Sequence, residues 1–431
     1  MVGDADTPSD DRPPSRGRLP WRARLPSRAV ATYYAYVLSR SLAFTMPIYV
    51  VFFRSRGLSL AQFGLLEATY TLAVLGLEFP TGYVADRLGR RNGLLASNAL
   101  SALGAVGYAL AHSFPAFLAA MVLRAAGATF SSGTSAAWLY EALADDDEEG
   151  DFARVDGRAR ALGLAGQSAA AVAGAWAYSA SHLLPWALDV AALAAGGAVL
   201  LAVPAREDAP TATDDDSERL TPAETVTVVR TALAQSGLRT FVAYTSLFLG
   251  VVGAALLFVQ PVSVDVLGVA PAHLGYLYAG LTLLSAAAAA LAGRVRDRVG
   301  VDRWFGVVPF LAAAGLLAVL AVPWLALALF FVLRAAGAVS RPLADQRIND
   351  GVRSRGRATT LSAVSMLRSV AVAPLKLLAG AVAAAALPAV LSALGAVLLV
   401  GAVGLWLRGR LLGESRSNEC DSPGVDAPER R

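Results

Sequence analysis

The stretch Gly82–Arg91 reads GYVADRLGRR, and part of it occurs twice in the chain. Its core, Asp86-Arg87-Leu88-Gly89, returns 211 residues later as Asp297-Arg298-Val299-Gly300. A second sequence, LRAAGA at residues 123–128, returns 210 residues later at 333–338. Two matches at nearly the same offset indicate a duplication, so we expect two halves with the same fold.

The regions around these repeats are strongly apolar. Of the 431 residues, 56% are hydrophobic and 16% are charged, whereas a soluble domain carries about 25% charged residues. Apolar stretches near the roughly 20 residues that a helix needs to cross a bilayer alternate with short polar breaks. We predict twelve transmembrane helices, at 29–53, 60–84, 92–112, 116–143, 159–180, 184–204, 238–262, 272–293, 304–321, 324–346, 358–384 and 387–407.

Polar segments divide the chain into five parts. These are a disordered tail at 1–28, a six-helix bundle at 29–204, a linker at 205–237, a second six-helix bundle at 238–407 and a disordered tail at 408–431. The linker contains Thr221-Pro222-Ala223-Glu224, a capping box with proline at the first helical position. We therefore predict a short surface helix there, with a loosely ordered linker as the alternative.

The distribution of arginine predicts the orientation in the membrane. If the N-terminus lies inside the cell, the inner loops hold sixteen arginines and the outer loops hold two, Arg54 and Arg56. Basic residues concentrate in the cytoplasmic loops of membrane proteins. We therefore predict a multi-pass protein of the cell membrane with both termini in the cytoplasm.

Gly82–Arg91 resembles the signature loop between helices 2 and 3 of the major facilitator superfamily. Its glycines, its aspartate and its basic residues occur at the expected spacing, and the copy at Gly293–Gly300 falls between helices 8 and 9, as in that family. The resemblance covers about residues 29–407. It implies an all-α integral membrane fold of two pseudo-symmetric six-helix bundles, and a monomer that transports a small molecule by alternating access around a central site.

The resemblance also implies a gate at the cytoplasmic ends of the helices. A carboxylate at such an end can cap a neighbouring helix or pair with arginine, which implies that Asp86 holds one access state closed. The alternative is a basic turn that sets topology only. The predicted gate comprises Gly82, Asp86, Arg87, Gly89, Arg90, Arg91, Glu141 and Asp297.

Three arginines are predicted at bilayer depth, in helices 1, 4 and 10, which line the central cavity in the family. A charge there costs about 2.5 kcal/mol or more, so each needs a partner or a purpose. The arginine fork binds carboxylate and phosphate with two hydrogen bonds, which favours an anionic or zwitterionic solute. The predicted cavity comprises Arg40, Tyr36, Arg124, Trp138, Tyr244 and Arg334.

Acidic residues in the spans leave two interpretations open. Glu67 is a candidate for proton coupling, because an apolar site favours a protonated carboxylate. It can equally serve as a fixed counter-ion, for example to Arg124. In helix 10, Asp345 lies one turn after Arg341 and is within reach of it.

The sequence contains few of the residues that other classes of function require. One cysteine and three histidines argue against disulfides, haem and zinc, so we predict no cofactor and no metal. The net charge of +4 follows membrane topology and does not indicate nucleic acid, and no Walker A sequence occurs. The alternatives are a proton-coupled exporter of lipophilic compounds, a prenyltransferase with magnesium at Asp145–Glu149, and a non-transporting membrane sensor.

Overall fold

The computed structural model describes residues 27–132, 134–144, 151–202, 236–350 and 357–420. All regular elements in these ranges are helices, which confirms the all-α prediction. The predicted N-terminal tail up to residue 26, the acidic run at 145–149 and the capping box at 221–224 lie outside the described residues, as does the tail after residue 420.

The described residues of the N-terminal half form eight helices. They are α1 Arg28–Ser41, α2 Tyr49–Ser55, α3 Leu60–Leu88, α4 Arg90–Leu110, α5 Phe114–Ser131, α6 Thr134–Ala144, α7 Phe152–Ala180 and α8 Leu184–Leu201. The first crossing is broken into α1 and α2, and the fourth crossing into α5 and α6.

The C-terminal half follows the same order. Its helices are α9 Ser236–Leu256, α10 Leu274–Ala290, α11 Ala292–Val299, α12 Val301–Ala318, α13 Leu325–Asp350, α14 Arg357–Ala386 and α15 Val390–Cys420. Short helical turns at Val259–Pro261 and Val262–Val266 extend α9. The last helix runs past residue 407, where we predicted that the final span ends.

Nine helical stretches among the described residues are long and apolar enough to cross a membrane. The last of these, Val364–Arg408, contains two successive helices, α14 and α15. The broken pair of α1 and α2, together with α7, supplies two further crossings. This order of helices is consistent with the predicted twelve transmembrane helices.

The duplication is visible in the backbone. Four described glycines have positive φ, a conformation that favours glycine, and they form two pairs that are each 211 residues apart. Gly89 and Gly300 have φ of 80° and 82°, and each separates two consecutive helices. Gly57 and Gly268 have φ of 87° and 70° at the other end of the bundle.

The two ends of the bundle differ in charge. We call the end with Gly89 and Gly300 the basic end, because both turns are flanked by arginines. We call the end with Gly57 and Gly268 the opposite end. At the opposite end of the N-terminal half, the rings of Phe53, Tyr108, Phe117 and Trp186 pack with centroids 4.9–6.2 Å apart.

The halves touch closely near the opposite end. A Cβ atom on Gly64 of α3 would lie 2.7 Å from the Cα atom of Gly380 of α14. A Cβ atom on Gly275 of α10 would lie 2.6 Å from the carbonyl oxygen of Ala171 of α7. Glycine permits such close helix approach in membranes, so these contacts bring the two halves together near the opposite end.

The break between α1 and α2 is held by a buried carboxylate. Asp189 of α8 accepts hydrogen bonds from the Phe44 backbone N–H at 2.7 Å and from the Thr45 hydroxyl at 2.5 Å. A Cβ atom on Gly174 of α7 would lie 1.9 Å from the Phe44 carbonyl oxygen. Asp189 therefore has a structural role, and the break requires glycine at position 174.

We expect Gly174→Ala to destabilise the protein by about 1–3 kcal/mol, because the added methyl group overlaps the broken segment and forces it to move. The control is Gly157→Ala in the same helix, where a Cβ atom meets nothing within 4 Å. The control gains up to about 1 kcal/mol from helix propensity. Thermal unfolding in detergent gives the melting temperatures of the two variants. Equal melting temperatures of Gly174→Ala and Gly157→Ala would contradict the packing described for Gly174.

Candidate functional site

Two arginines of the N-terminal half lie close together in the middle of the bundle. Arg40 of α1 donates to the hydroxyl oxygens of Ser101 at 3.0 Å and Ser131 at 3.3 Å, which are both neutral acceptors. Arg124 of α5 places its Cζ atom 5.9 Å from the centroid of the Tyr108 ring. The two guanidinium groups repel each other electrostatically. Among the described residues, no hydrogen-bond acceptor pairs with Arg124.

A third arginine occupies the equivalent place in the C-terminal half. Arg334 lies in the repeated LRAAGA sequence, 210 residues after Arg124. Its Nε atom is buried and has no hydrogen-bond partner among the described residues. It lies within electrostatic range of Tyr278 of α10. The duplication thus provides one partly buried arginine in each half, Arg124 and Arg334.

An ion pair joins the halves near these arginines. The Lys376 Nζ atom of α14 lies 3.2 Å from a carboxylate oxygen of Glu67 of α3, and both side chains are 13% exposed. The same ammonium donates to the Thr71 hydroxyl at 3.0 Å. Glu67 therefore binds Lys376, and it does not form the pair with Arg124 that we considered as an alternative.

Positive charge exceeds negative charge in this region. Glu67 forms an ion pair with Lys376. Both carboxylate oxygens of Asp189 accept hydrogen bonds from the broken segment between α1 and α2. No carboxylate among the described residues forms an ion pair with Arg40, Arg124 or Arg334. A buried charge without a partner is costly, so a bound anion would find three cations available.

The C-terminal half contains a further buried arginine that does have a partner. Arg368 of α14 donates to Asp345 of α13 at 2.5 Å. Asp345 is thus bound by the neighbouring helix, whereas the sequence placed it within reach of Arg341. This pair adds no net charge to the centre.

The aromatic residues predicted for the cavity have different surroundings. Tyr36 is 2% exposed and lies within electrostatic range of Arg40. The Trp138 ring stacks on Tyr33 with centroids 6.0 Å apart. The Tyr244 hydroxyl donates to the Phe305 carbonyl at 2.7 Å and joins α9 to α12. The structure brings Tyr36 and Arg40 together, whereas Trp138 and Tyr244 pack against neighbouring helices.

The predicted gate residues of the N-terminal half bind partners in their own half. The Arg90 Nε atom lies 3.1 Å from a carboxylate oxygen of Glu141, which joins α4 to α6. Arg91 donates to the carbonyl oxygens of Leu200 and Leu201 at 2.8 and 3.0 Å, where α8 has unpaired carbonyls. Arg87 lies over the Tyr83 ring, with its Cζ atom 3.8 Å from the centroid.

The remaining gate residues have few contacts. Gly82 is exposed, and a Cβ atom there would meet nothing within 4 Å. In the C-terminal half, Asp297 lies 2.8 Å from Arg296, and this hydrogen bond raises the pKa of Arg296. Arg296 also donates to Gln346 of α13 at 3.3 Å. The side chain of Asp86 lies outside the described part of the structure.

Gln260, which was not among the predicted site residues, connects the halves at the opposite end. The Gln260 side chain is fully buried. Its oxygen accepts from the Val50 N–H at 2.9 Å, and its nitrogen donates to the Met46 carbonyl at 2.9 Å and to the Tyr278 hydroxyl at 3.1 Å. An amide within the apolar run LLFVQPVSV was the only sequence signal for this role.

The hydrogen bonds between halves show which end is joined. Among contacts between described residues, they involve Gln260 and Lys376, together with an ion pair between Arg54 and Asp265 near the opposite end. At the basic end, the ion pairs between described residues join elements of one half. Among the described residues, the hydrogen bonds and ion pairs that join the halves therefore lie between the centre of the bundle and the opposite end.

We expect Gln260→Leu to shift the protein towards a state that is open at the opposite end. The change leaves the Val50 N–H and the Met46 carbonyl buried without partners, at about 1–3 kcal/mol for each unpaired group. Spin labels at Ala61 and Ala384, in a Cys420→Ser background, report the distance between halves by electron–electron double resonance. Gln346→Leu at the basic end is the control, and an unchanged distance distribution in Gln260→Leu would contradict this role.

Comparison with known proteins supports the family indicated by the sequence. The sequence profile of the Major Facilitator Superfamily matches residues 31–374. No curated protein sequence matches the chain.

Several solved transporters have the same fold. The nucleoside transporter NupG is 12% identical, with a TM-score of 0.68 over 88% of this chain and 98% of that chain. A bacterial homologue of the human lysosomal transporter Spinster, in an inward-facing and unoccupied conformation, is 18% identical, with a TM-score of 0.65 over 89% and 96%. A D-xylose–proton symporter is 16% identical, with a TM-score of 0.66 over 88% and 96%. Identities this low show the fold alone.

Proposed function

Since this chain belongs to the major facilitator superfamily, it is a multi-pass membrane transporter and not an enzyme, and we propose that its cargo is a small anionic or zwitterionic solute. The proposal rests on the excess of positively charged side chains at the centre of the bundle. Arg40, Arg124 and Arg334 have no ion-pair partner among the described residues, and arginine is well suited to bind carboxylate or phosphate.

The proposed orientation places the basic end in the cytoplasm, because basic loops remain on that side. The halves are fastened at the opposite end, so in this conformation the central site would be accessible from the cytoplasm of the cell. Closing the basic end and separating the contacts of Gln260 and Gly64 would expose the same site to the outside. This is alternating access between two bundles.

Glu67 is the proposed coupling residue. Its carboxylate pairs with Lys376 across the two halves at 3.2 Å. A proton on Glu67 would remove the ionic attraction and free the ammonium of Lys376. Protonation would thus weaken one of the contacts that fasten the halves, which is a physical route from a proton gradient to the conformational change.

A ligand screen by thermal shift tests the cargo class. A solute that binds only the folded protein at 100 times its Kd stabilises it by about 2.7 kcal/mol. We expect carboxylates or phosphates to raise the melting temperature of the parent and not of Arg40→Ala. Stabilisation by lipophilic cations alone would contradict the proposal and favour export of lipophilic compounds.

A further inference from the structure

Two arginines that form no ion pair with a described residue lie against the same turn of α4. Arg40 of α1 donates to the Ser101 hydroxyl at 3.0 Å. A Cβ atom on Gly104, one turn after Ser101, would lie 2.5 Å from the Cγ atom of Arg124 of α5. The two side chains therefore meet at one turn of α4, where their positive charges are close enough to repel each other.

The described charged side chains at the centre of the bundle leave an excess of two positive charges. They are the cations Arg40, Arg124, Arg334 and Lys376 and the carboxylates Glu67 and Asp189. Asp189 lies within electrostatic range of Arg124, but both of its oxygens bind the broken segment between α1 and α2. A bound monoanion would therefore leave one positive charge in excess, whereas a dianion would neutralise the centre.

A phenol hydroxyl is available near the same two arginines. Tyr70 of α3 is half-buried and lies within electrostatic range of Arg40 and Arg124. Its hydroxyl forms no hydrogen bond with another described residue. Glu67 lies one turn before Tyr70 and is also within electrostatic range. Tyr70 is thus near both the two arginines and the ion pair that joins the halves.

The groups available in this region are mainly hydrogen-bond donors. Guanidinium groups have no acceptor atom, and the phenol of Tyr70 can donate its proton. The Ser131 hydroxyl already donates to the Ala128 carbonyl at 2.8 Å and accepts from Arg40. A phosphate monoester offers three acceptor oxygens and close to two negative charges, whereas a carboxylate offers two oxygens and one charge. The available donors and the excess charge therefore match a phosphate group better than a carboxylate.

We propose that Arg40, Arg124 and Tyr70 bind an acidic head with two negative charges, so that the cargo is a phosphate monoester or a phosphonate. The two guanidinium groups neutralise the charge of the head, and the Tyr70 hydroxyl donates to an oxygen that they leave free. The inference adds Tyr70 to the predicted cavity residues. It rests on the proposed function, because it assumes that an anion is the cargo.

Four small anions test the charge of the head: methyl phosphate, methyl sulfate, acetate and succinate. Binding is measured by calorimetry on the full chain in nanodiscs of phosphatidylcholine. Methyl sulfate has the tetrahedral shape of methyl phosphate with a single charge, and succinate has two charges on separate groups. We expect methyl phosphate to bind at least about tenfold more strongly than each of the others, because a hydrogen bond to a more highly charged acceptor is stronger.

The pH gives a second measure of the same charge. The second proton of a phosphate monoester has a pKa of about 6, so the monoanion replaces the dianion between about pH 7.5 and about pH 5. The affinity for methyl phosphate should fall about tenfold over this interval, in proportion to the remaining dianion. Methyl sulfate keeps one charge throughout and therefore reports any change caused by titration of Glu67 or Asp189.

Tyr70→Phe tests the contribution of the hydroxyl. The variant should bind methyl phosphate about tenfold more weakly, because it lacks one hydrogen bond to a charged group. Without ligand it should melt at the temperature of the unmutated protein, because the hydroxyl has no partner to lose. The control is Tyr33→Phe, which removes a hydroxyl that donates to Asp156 at 3.0 Å. This control should lower the melting temperature and leave the Kd of methyl phosphate unchanged.

The outcomes separate this inference from the proposed function. If methyl sulfate, acetate or succinate binds as tightly as methyl phosphate at about pH 7.5, where the phosphate is a dianion, the assignment of the head is wrong and the anion proposal stands. If Tyr70→Phe binds methyl phosphate like the unmutated protein, the assignment of Tyr70 is wrong. If none of the four anions binds and the thermal screen finds no stabilising anion, both the inference and the proposed function are wrong.

Discussion

Replacing Arg124 by glutamine is expected to weaken binding of the transported anion at least about 30-fold. Truncating one partner of a buried charged pair costs about 2–5 kcal/mol, and each 1.4 kcal/mol is tenfold in Kd. Arg124 has the largest expected effect because no acceptor among the described residues holds its guanidinium group, whereas Arg40 is bound by Ser101 and Ser131.

Two variants make this result specific. Arg124→Lys keeps the charge and loses the fork that binds two oxygens, so its affinity should fall between parent and Arg124→Gln. Arg158→Gln removes an exposed arginine at the basic end and should bind like the parent. Calorimetric titration with the best anion of the thermal screen gives all four Kd values. Equal affinity of Arg124→Gln and the parent would show that the arginine is structural.

Replacing Lys376 by methionine is expected to destabilise the protein by about 3–5 kcal/mol, because it leaves the carboxylate of Glu67 buried without its partner. Adding Glu67→Gln should restore much of the loss, since the double variant has no isolated charge. Chemical unfolding in detergent gives the free energy of unfolding of the unmutated protein, of both single variants and of the double variant, which together form a double-mutant cycle. If the losses of stability of the two single variants were additive in the double variant, this would contradict a buried ion pair between Glu67 and Lys376.

The same pair has a separate expected effect on energy coupling. Glu67→Gln cannot take up a proton, so the variant should lose accumulation driven by a proton gradient and keep exchange of solute. Uptake into proteoliposomes with and without an imposed pH difference distinguishes these. Proton-driven accumulation by Glu67→Gln at the parent rate would exclude Glu67 as the coupling residue.

The repeat in the sequence was sufficient to predict the duplicated fold, because turns of the same geometry require the same residues. Gly89 and Gly300 share a positive φ that favours glycine, and the Asp-Arg pair before each glycine makes the match recognisable. Gly57 and Gly268 have the same offset. Their flanking residues differ, so the second pair of turns could not be recognised without the structure.

The pairing of charged side chains could be predicted less well. Glu67 and Lys376 are 309 residues apart and meet because Gly64 and Gly380 set the register of two helices from different halves. Nothing in either local sequence indicates that register. The roles of Asp189 and Gln260 could not be predicted for the same reason, since each binds a backbone segment that is broken in the folded protein.

Helical spacing predicted candidate cavity residues with mixed results. Arg40 and Tyr36 lie one turn apart on α1 and remain neighbours in the structure. Tyr244 lies in a helix that lines the cavity in the family, yet its hydroxyl binds the Phe305 carbonyl inside its own half. Spacing along a helix does not say which neighbour covers a face, because packing decides that.

Counterflow in proteoliposomes tests most directly whether this protein carries an anion. Vesicles with the purified chain are loaded with the unlabelled anion that stabilises it best and then diluted into a trace of the labelled anion. We expect transient accumulation of label by the unmutated protein and none by Arg124→Gln. Binding of the anion without accumulation in the parent would contradict this expectation and would indicate a sensor that does not transport.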